Sequence, residues 1–134
     1  MIMQAIALRL CPQQDLLAEL ETFIHAHQIE AACVVTCVGS LTTAVLRLAS
    51  QNQPTTYTGH FEIVSLTGLM SVHGLHCHMA IADATGRTIG GHVLKGCRIY
   101  TTAELVLGIL PDISFQRESD LETGYRELVI RPVE

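Results

Sequence analysis

Tryptophan is absent from this chain, and three tyrosines with three phenylalanines bring aromatics to only 4% of its 134 residues. The stacking platforms that single-strand nucleic-acid binders use are therefore scarce. Positive charge is also in short supply, with 8 Lys and Arg against 13 Asp and Glu for a formal net charge of −5. A domain with that balance repels a phosphate backbone as a whole. No CxxC pair occurs among Cys11, Cys33, Cys37, Cys77 and Cys97, and an odd count leaves one unmatched in any disulfide scheme. Reduced cysteines acting as small core hydrophobes are expected. The longest apolar runs, such as "ELVLGIL", fall far short of the ~20 residues that span a bilayer, and no charged-then-apolar leader opens the sequence. No membrane association and a cytoplasmic location are the corresponding expectations. Repeats, low-complexity tracts and Pro/Ser-rich linkers are missing too, so residues 1–134 read as a single domain.

Apolar residues, by contrast, are plentiful at 49%. With so few charges to offset them, part of the surface is expected to lie under a partner subunit. "MQAIALRLC" alternates in the period of a half-buried strand. "PQQDLLAELETFIHAHQ" reads as a helix, with Pro12 in its first turn and Leu16, Leu17, Leu20, Phe23 and Ile24 on one face. His25 and His27 fall at its C-terminal end, where the dipole mildly favours a cation. "AACVVTCVGS" reads as a buried strand closed by Gly39-Ser40, "TTAVLRLAS" as an amphipathic strand, and "QNQPTTYTG" as a polar loop broken at Pro54. "HFEIVSLTGLMSV" is strand-like, with Gly68 as a candidate bulge. In the tail, "ISF" and "YRELVIRP" flank the polar turn "QRESDLETG". One helix among many strands predicts a mixed α/β (α+β) domain, with a largely antiparallel sheet and a covering N-terminal helix.

The segment "GLHCHMAIADATGRTIGGHVLKG" carries three histidines. His76 and His78 are two residues apart, so on a strand both leave the same face. "DATG" has Asp first and Gly fourth, the pattern of a type I turn whose left-handed residue makes the bulge of a three-residue hairpin. That loop sets Asp83 opposite Arg87, Met79 opposite Gly91 and His78 opposite His92. It also sorts Cys77, Met79, Ile81, Ile89 and Val93 onto one face, a plausible core. The other face collects the histidines with Ala80 and Gly90, whose lack of bulk leaves room for a ligand or a neighbouring chain.

Directly opposed residues have Cβ atoms ~4.5–5.5 Å apart, so His78 and His92 can converge on one ion, with His76 supplying a third nitrogen. Three neutral imidazoles and an open fourth position suit zinc, and nickel, copper or iron would also accept them. The alternatives are a wet or subunit-packed polar face, or a metal-free histidine acid/base site.

"AACVVTCVGSLTTAVLRL", "GHFEIVSLTGLMS", "LHCHMAIADATGRTIGGHVLKGCRIYTTAELVL" and "FQRESDLETGYREL", in that order, resemble the PPC domain, the plants-and-prokaryotes conserved domain, over nearly the whole chain. The resemblance implies a compact α/β domain with an antiparallel sheet that assembles as a homotrimer. In plants this domain follows AT-hooks, Arg-Gly-Arg-Pro segments that enter the DNA minor groove. This chain has no such segment, so DNA binding carries over only as an alternative. Stand-alone prokaryotic members commonly show the histidine pattern, here His76, His78 and His92. The fold is also similar to that of acetolactate decarboxylase, whose zinc is held by an H-x-H pair and a third histidine. His76 and His78 match that pair; the spacing of the third ligand departs from it.

Other residues are candidates for roles near such a centre. Glu62 in "HFEIV" and Glu104 in "TTAEL" sit in apolar strands and are candidate proton carriers beside a cation, for a lyase or hydrolase reaction. The alternative for each is an ion pair or a solvated strand position. Gly39 and Ser40 are candidates to offer backbone N–H groups to a small anionic ligand, against a plain turn. His60 and His73 are candidate lining residues, and Arg87, Lys95 and Arg98 form the basic cluster on which any DNA contact would rest. A trimeric assembly module without chemistry is the remaining reading.

Overall fold

The computed structural model describes residues 2–133. In chain order these form β1 (Gln4–Leu10), α1 (Leu16–Ala26), β2 (Ala32–Arg47), β3 (Thr55–Ser71), β4 (Gly74–Ala82), β5 (Thr88–Val93), β6 (Arg98–Ile109), β7 (Ile113–Ser119) and β8 (Arg126–Pro132). Six strands make one antiparallel sheet in the order β1-β6-β2-β3-β4-β5, and β7 and β8 form a separate hairpin. The sheet also curls back on itself. The far end of β2 pairs with β5, Leu46 with Val93 and Arg47 with His92, so β2 through β5 close a ring around the core.

The start of α1 differs from the sequence expectation. Pro12 lies in a turn ahead of the helix, and Asp15 is the N-cap, its carboxylate accepting from the Ala18 N–H at 3.1 Å. The other carboxylate oxygen accepts from the Gly96 N–H at 2.7 Å, which ties the helix start to the turn before β6. Leu16, Leu20 and Ile24, spaced one helical turn apart, are fully buried and belong to the core cluster together with Leu41, Met70, Ile81, Ile99 and Leu107. Cys37, Cys77 and Cys97 are buried in the same core as free thiols, and burial pushes the first two up to about 11. Cys11 is exposed and Cys33 half-buried.

Gly39-Ser40 does not close a strand. β2 runs through it for 16 residues, and the irregularity lies in its pairing: register shifts against β6 fall between Val34 and Thr36, Gly39 and Leu41, and Leu41 and Thr43. Such bulges bend a long strand without ending it, which lets β2 serve the open sheet with one half and the closed ring with the other. Gly39 is required by close approach. A Cβ there would fall inside contact distance of the Thr102 carbonyl oxygen and 2.7 Å from the Ala103 Cα. β3 likewise begins earlier than the sequence suggests, at Thr55, and its register shift against β4 lies between Ile63 and Ser65 instead of at Gly68. Gly68 is where Cys77 packs; a Cβ would collide with its Sγ.

The β7–β8 hairpin docks through buried Ser114 and Phe115. The Phe115 N–H donates to the Glu30 carbonyl at 2.8 Å, the Ser71 hydroxyl donates to the Phe115 carbonyl at 2.6 Å, and the Ser114 hydroxyl donates to the Glu30 carboxylate at 2.8 Å. Gly39→Ala is expected to force β2 away from β6 and to destabilise the protein by roughly 1–3 kcal/mol, a fall in Tm of about 3–10 °C. Thermal unfolding followed by circular dichroism checks it; an unchanged Tm would show that the strands separate at no cost.

Candidate metal centre

The β4–β5 turn sets everything that follows in this region. The Asp83 carboxylate accepts from the Thr85 N–H at 2.9 Å, the Thr85 hydroxyl at 2.7 Å and the Arg87 N–H at 3.1 Å, and these bonds hold its carboxyl below the usual range. Gly86 adopts a φ of 84°, the left-handed conformation that a three-residue hairpin loop demands. The Asp83 N–H then donates to the Arg87 carbonyl at 3.0 Å, and pairing runs back as Ala82 with Thr88, Ala80 with Gly90, Met79 with Gly91 and His78 with His92. Cys77, Met79, Ile81 and Val93 are buried on the inner side.

On the outer side the three imidazoles gather. Ring centroids lie 4.9 Å apart for His76 and His78, 5.2 Å for His76 and His92, and 5.7 Å for His78 and His92. One ring nitrogen from each falls within 4.8 Å of the others. Two donors on a tetrahedral zinc stand roughly 3.3 Å apart, so a modest rotation of the exposed His76 and His78 rings towards half-buried His92 brings all three into range. Burial, then Arg47 and the neighbouring histidines, lower His92 to about 4; burial is also the largest cause lowering His76. Both rings are therefore neutral near pH 7, the state in which imidazole ligates a metal. The donor set fits a borderline divalent ion such as zinc.

The residues around the cluster come from distant parts of the chain. A single cross-strand row runs Arg47 on β2, His92 on β5, His78 on β4 and Thr67 on β3. One hollow of about 770 Å³ is lined by His76, His78, His92, Gly90, Gly91, Arg47, the Leu48–Asn52 stretch and Tyr125. A second, of about 450 Å³, shares Arg47, His76, His92 and Tyr125, and adds His73, Arg117, Arg126 and Glu127. Arg47, Arg117, Tyr125 and Glu127 carry no sequence signal as a group. Only Arg47 shows locally, as a charge closing the apolar run "TTAVLRL".

The other sequence candidates lie elsewhere. Glu62 and Glu104 are exposed and flank β2 from either side, Glu62 opposite Ser40 and Glu104 opposite Val38, and neither lines a hollow at the imidazoles. Gly39 and Ser40 sit in the paired interior of β2, where the Ser40 hydroxyl meets that of Thr101 at 2.9 Å. His60 stacks on Tyr100 at 4.2 Å, and His73 lines the second hollow while contacting Glu30 at 3.2 Å. Of the basic trio, Lys95 pairs with Glu21 at 3.3 Å and Arg98 donates to the Gln13 carbonyl at 3.2 Å.

Because folded His92 resists protonation while an unfolded histidine titrates near 6.5, the metal-free fold loses stability as pH falls from 6.5 towards about 4. The unfolded chain takes up a proton that the folded chain refuses. His92→Gln is expected to flatten that part of the Tm-against-pH curve of metal-free protein. A variant curve parallel to the wild type would show that this ring titrates freely in the fold.

Comparison with known proteins adds a family to this geometry. Over 126 residues the chain is 48% identical to the bifunctional protein GlmU of Synechococcus sp. (strain JA-3-3Ab), covering 94% of the chain but 20% of that protein. It thus spans about a fifth of the length of such relatives. A hypothetical protein from Salmonella shares 41% identity over 98% of this chain and 95% of its own, with a TM-score of 0.96. A metal-containing protein from Archaeoglobus fulgidus shares 25% identity over 94% of this chain and 93% of its own, with a TM-score of 0.82. No helix among the described residues is long and apolar enough to cross a membrane. The model of the Plants and Prokaryotes Conserved (PCC) domain matches residues 1–111, and the chain belongs to that family, the one its sequence resembles.

Proposed function

We propose that this protein binds a divalent transition metal, of zinc type, through His76, His78 and His92, and works as a homotrimer. The observation that carries the metal reading is the convergence of three ring nitrogens within 4.8 Å on the outer face of one hairpin. The likeness to an archaeal protein described as metal-containing supports it. Zinc held by His76, His78 and His92 would keep a fourth position for water or ligand, and the ion would supply Lewis acidity or an activated water there. Lyase or hydrolase chemistry is the class that such a centre serves, in line with the H-x-H logic of acetolactate decarboxylase.

Self-association is supported by apolar surface on the large strands. Val35, Val38, Val64 and Tyr100, on β2, β3 and β6, are between 41% and 63% exposed, apolar side chains that a neighbouring copy would cover. The family resemblance supports a trimer as the form of that assembly. Glu62 and Glu104 lie on these same strands, so they serve the centre only where a neighbouring copy brings them to it. A DNA-binding reading has less behind it: the chain is acidic, and two of the three cations in its basic cluster are already engaged.

Elemental analysis of protein purified without a metal-affinity tag is expected to find close to one ion per chain, lost in His78→Ala. Less than about 0.2 ion per chain in both proteins would overturn the metal reading. Sedimentation of the same samples, with and without a chelator, is expected to show a trimer in both conditions if the apolar faces hold it together. A monomer in both would overturn the assembly.

A further inference from the structure

Charge around the three imidazoles runs opposite to that of the chain. Of 8 Lys and Arg in a sequence of net charge −5, three arginines, Arg47, Arg117 and Arg126, line one hollow whose only carboxylate among the described residues is Glu127. Resting on the metal reading above, we infer that the ligand of this centre is a small dianionic acid, one anionic end occupying the open position at the imidazoles and the other received by Arg47 and Arg117.

Three observations carry it. Among the described residues the guanidinium groups of Arg47 and Arg117 make no hydrogen bond and no ion pair, while those of Arg9, Arg98 and Arg131 are spent on Thr102, Gln13 and Glu118. Cations held beside a ligand-binding centre without a protein partner are available for an anion, and a guanidinium fork receives a carboxylate or phosphate bidentately. Placement is the second. The backbone of Arg47 is paired directly to that of His92, and Gly91 makes this possible: a Cβ there would stand 2.8 Å from the Arg47 carbonyl oxygen. The arginine is thus one strand from the imidazoles, on the same face, and lines both hollows. Arg117 approaches from the β7–β8 hairpin on the other side of the second hollow.

The third is the sum of charges. The hollow holds three cations against one carboxylate, and neutral imidazoles leave the two charges of a divalent ion uncompensated. A neutral ligand would leave this excess in place, and a dianion would remove twice as much of it as a monoanion. Volumes of about 770 and 450 Å³ suit a metabolite-sized molecule. The exposed Tyr125 phenol is a further hydrogen-bonding group in both. Carboxylate and phosphate dianions share the recognising chemistry, so the two must be separated by experiment.

The test uses the full chain loaded with cobalt(II), its metal content measured first, and calorimetric titration with succinate, inorganic phosphate and the neutral succinamide. Succinate or phosphate is expected to bind at least about tenfold more tightly than succinamide, and Arg47→Gln to cut that preference several-fold while keeping its metal. Arg47→Lys should restore part of it, and Arg117→Gln should weaken the same anion. The stronger of the two anions names the source class. Full metal content with equal binding of succinate, phosphate and succinamide, or an anion preference untouched by Arg47→Gln, overturns the dianion while leaving the metal centre standing. Failure to retain cobalt overturns both.

Discussion

The hydrogen bonds that Asp83 makes to its own turn are the constraint on which the candidate centre depends. A β-strand presents alternate side chains to opposite faces, so a one-residue change in the loop between β4 and β5 would turn His92 into the core and send Val93 to solvent. Asp83 prevents it by gathering the Thr85 and Arg87 donors around one carboxylate oxygen, and Gly86 prevents it by supplying the positive φ that the loop requires. These groups are themselves solvent-exposed or half-buried and add little to the core. Their effect is to choose one register, and the burial of Met79, Ile81 and Val93 then stabilises that choice.

How much of this is legible in the sequence follows from range. The "DATG" turn, the His78 and His92 pairing and the sorting of apolar from polar faces are local, settled within some twenty residues, and the hairpin agrees with them pair by pair. The partners of the histidines are not local. Arg47 arrives because β2 bends and closes on β5 at just Leu46 and Arg47, an event that depends on three register shifts invisible to periodicity. Gly39-Ser40 was open to misreading for the same reason: glycine followed by serine looks like a strand end, yet here the glycine is demanded by the backbone of Thr102 and Ala103 on the adjacent strand. Pro12 misplaces the helix start in a similar way, since Asp15 answers to both the helix and the Gly96 turn far along the chain. Local chemistry announces turns and faces; it is silent on which distant strand will lie beside them.

Glu62 and Glu104 illustrate a further limit. A carboxylate in an apolar strand stands out in a sequence, but standing out does not say which side of the sheet it occupies. Both lie beside exposed valines and an exposed tyrosine on the strands proposed to meet another copy, away from the imidazoles of their own chain. Apolar strands with one acid thus mark an outer surface here, and the acids keep that surface soluble where it is not covered.

The β7–β8 hairpin forms its own small sheet and lies beyond residues 1–111, the span matched by the family. It nonetheless contributes Arg117, Tyr125, Arg126 and Glu127 to the hollow beside the histidines. On the proposed reading the ion is held wholly by the ring of strands, whereas the ligand is received in part by Arg47 of that ring and in part by a hairpin anchored through a handful of hydrogen bonds at Glu30 and Ser71. Under that reading, substitutions confined to this two-stranded ribbon would retune which molecule is accepted while sparing the three imidazoles, none of which it carries.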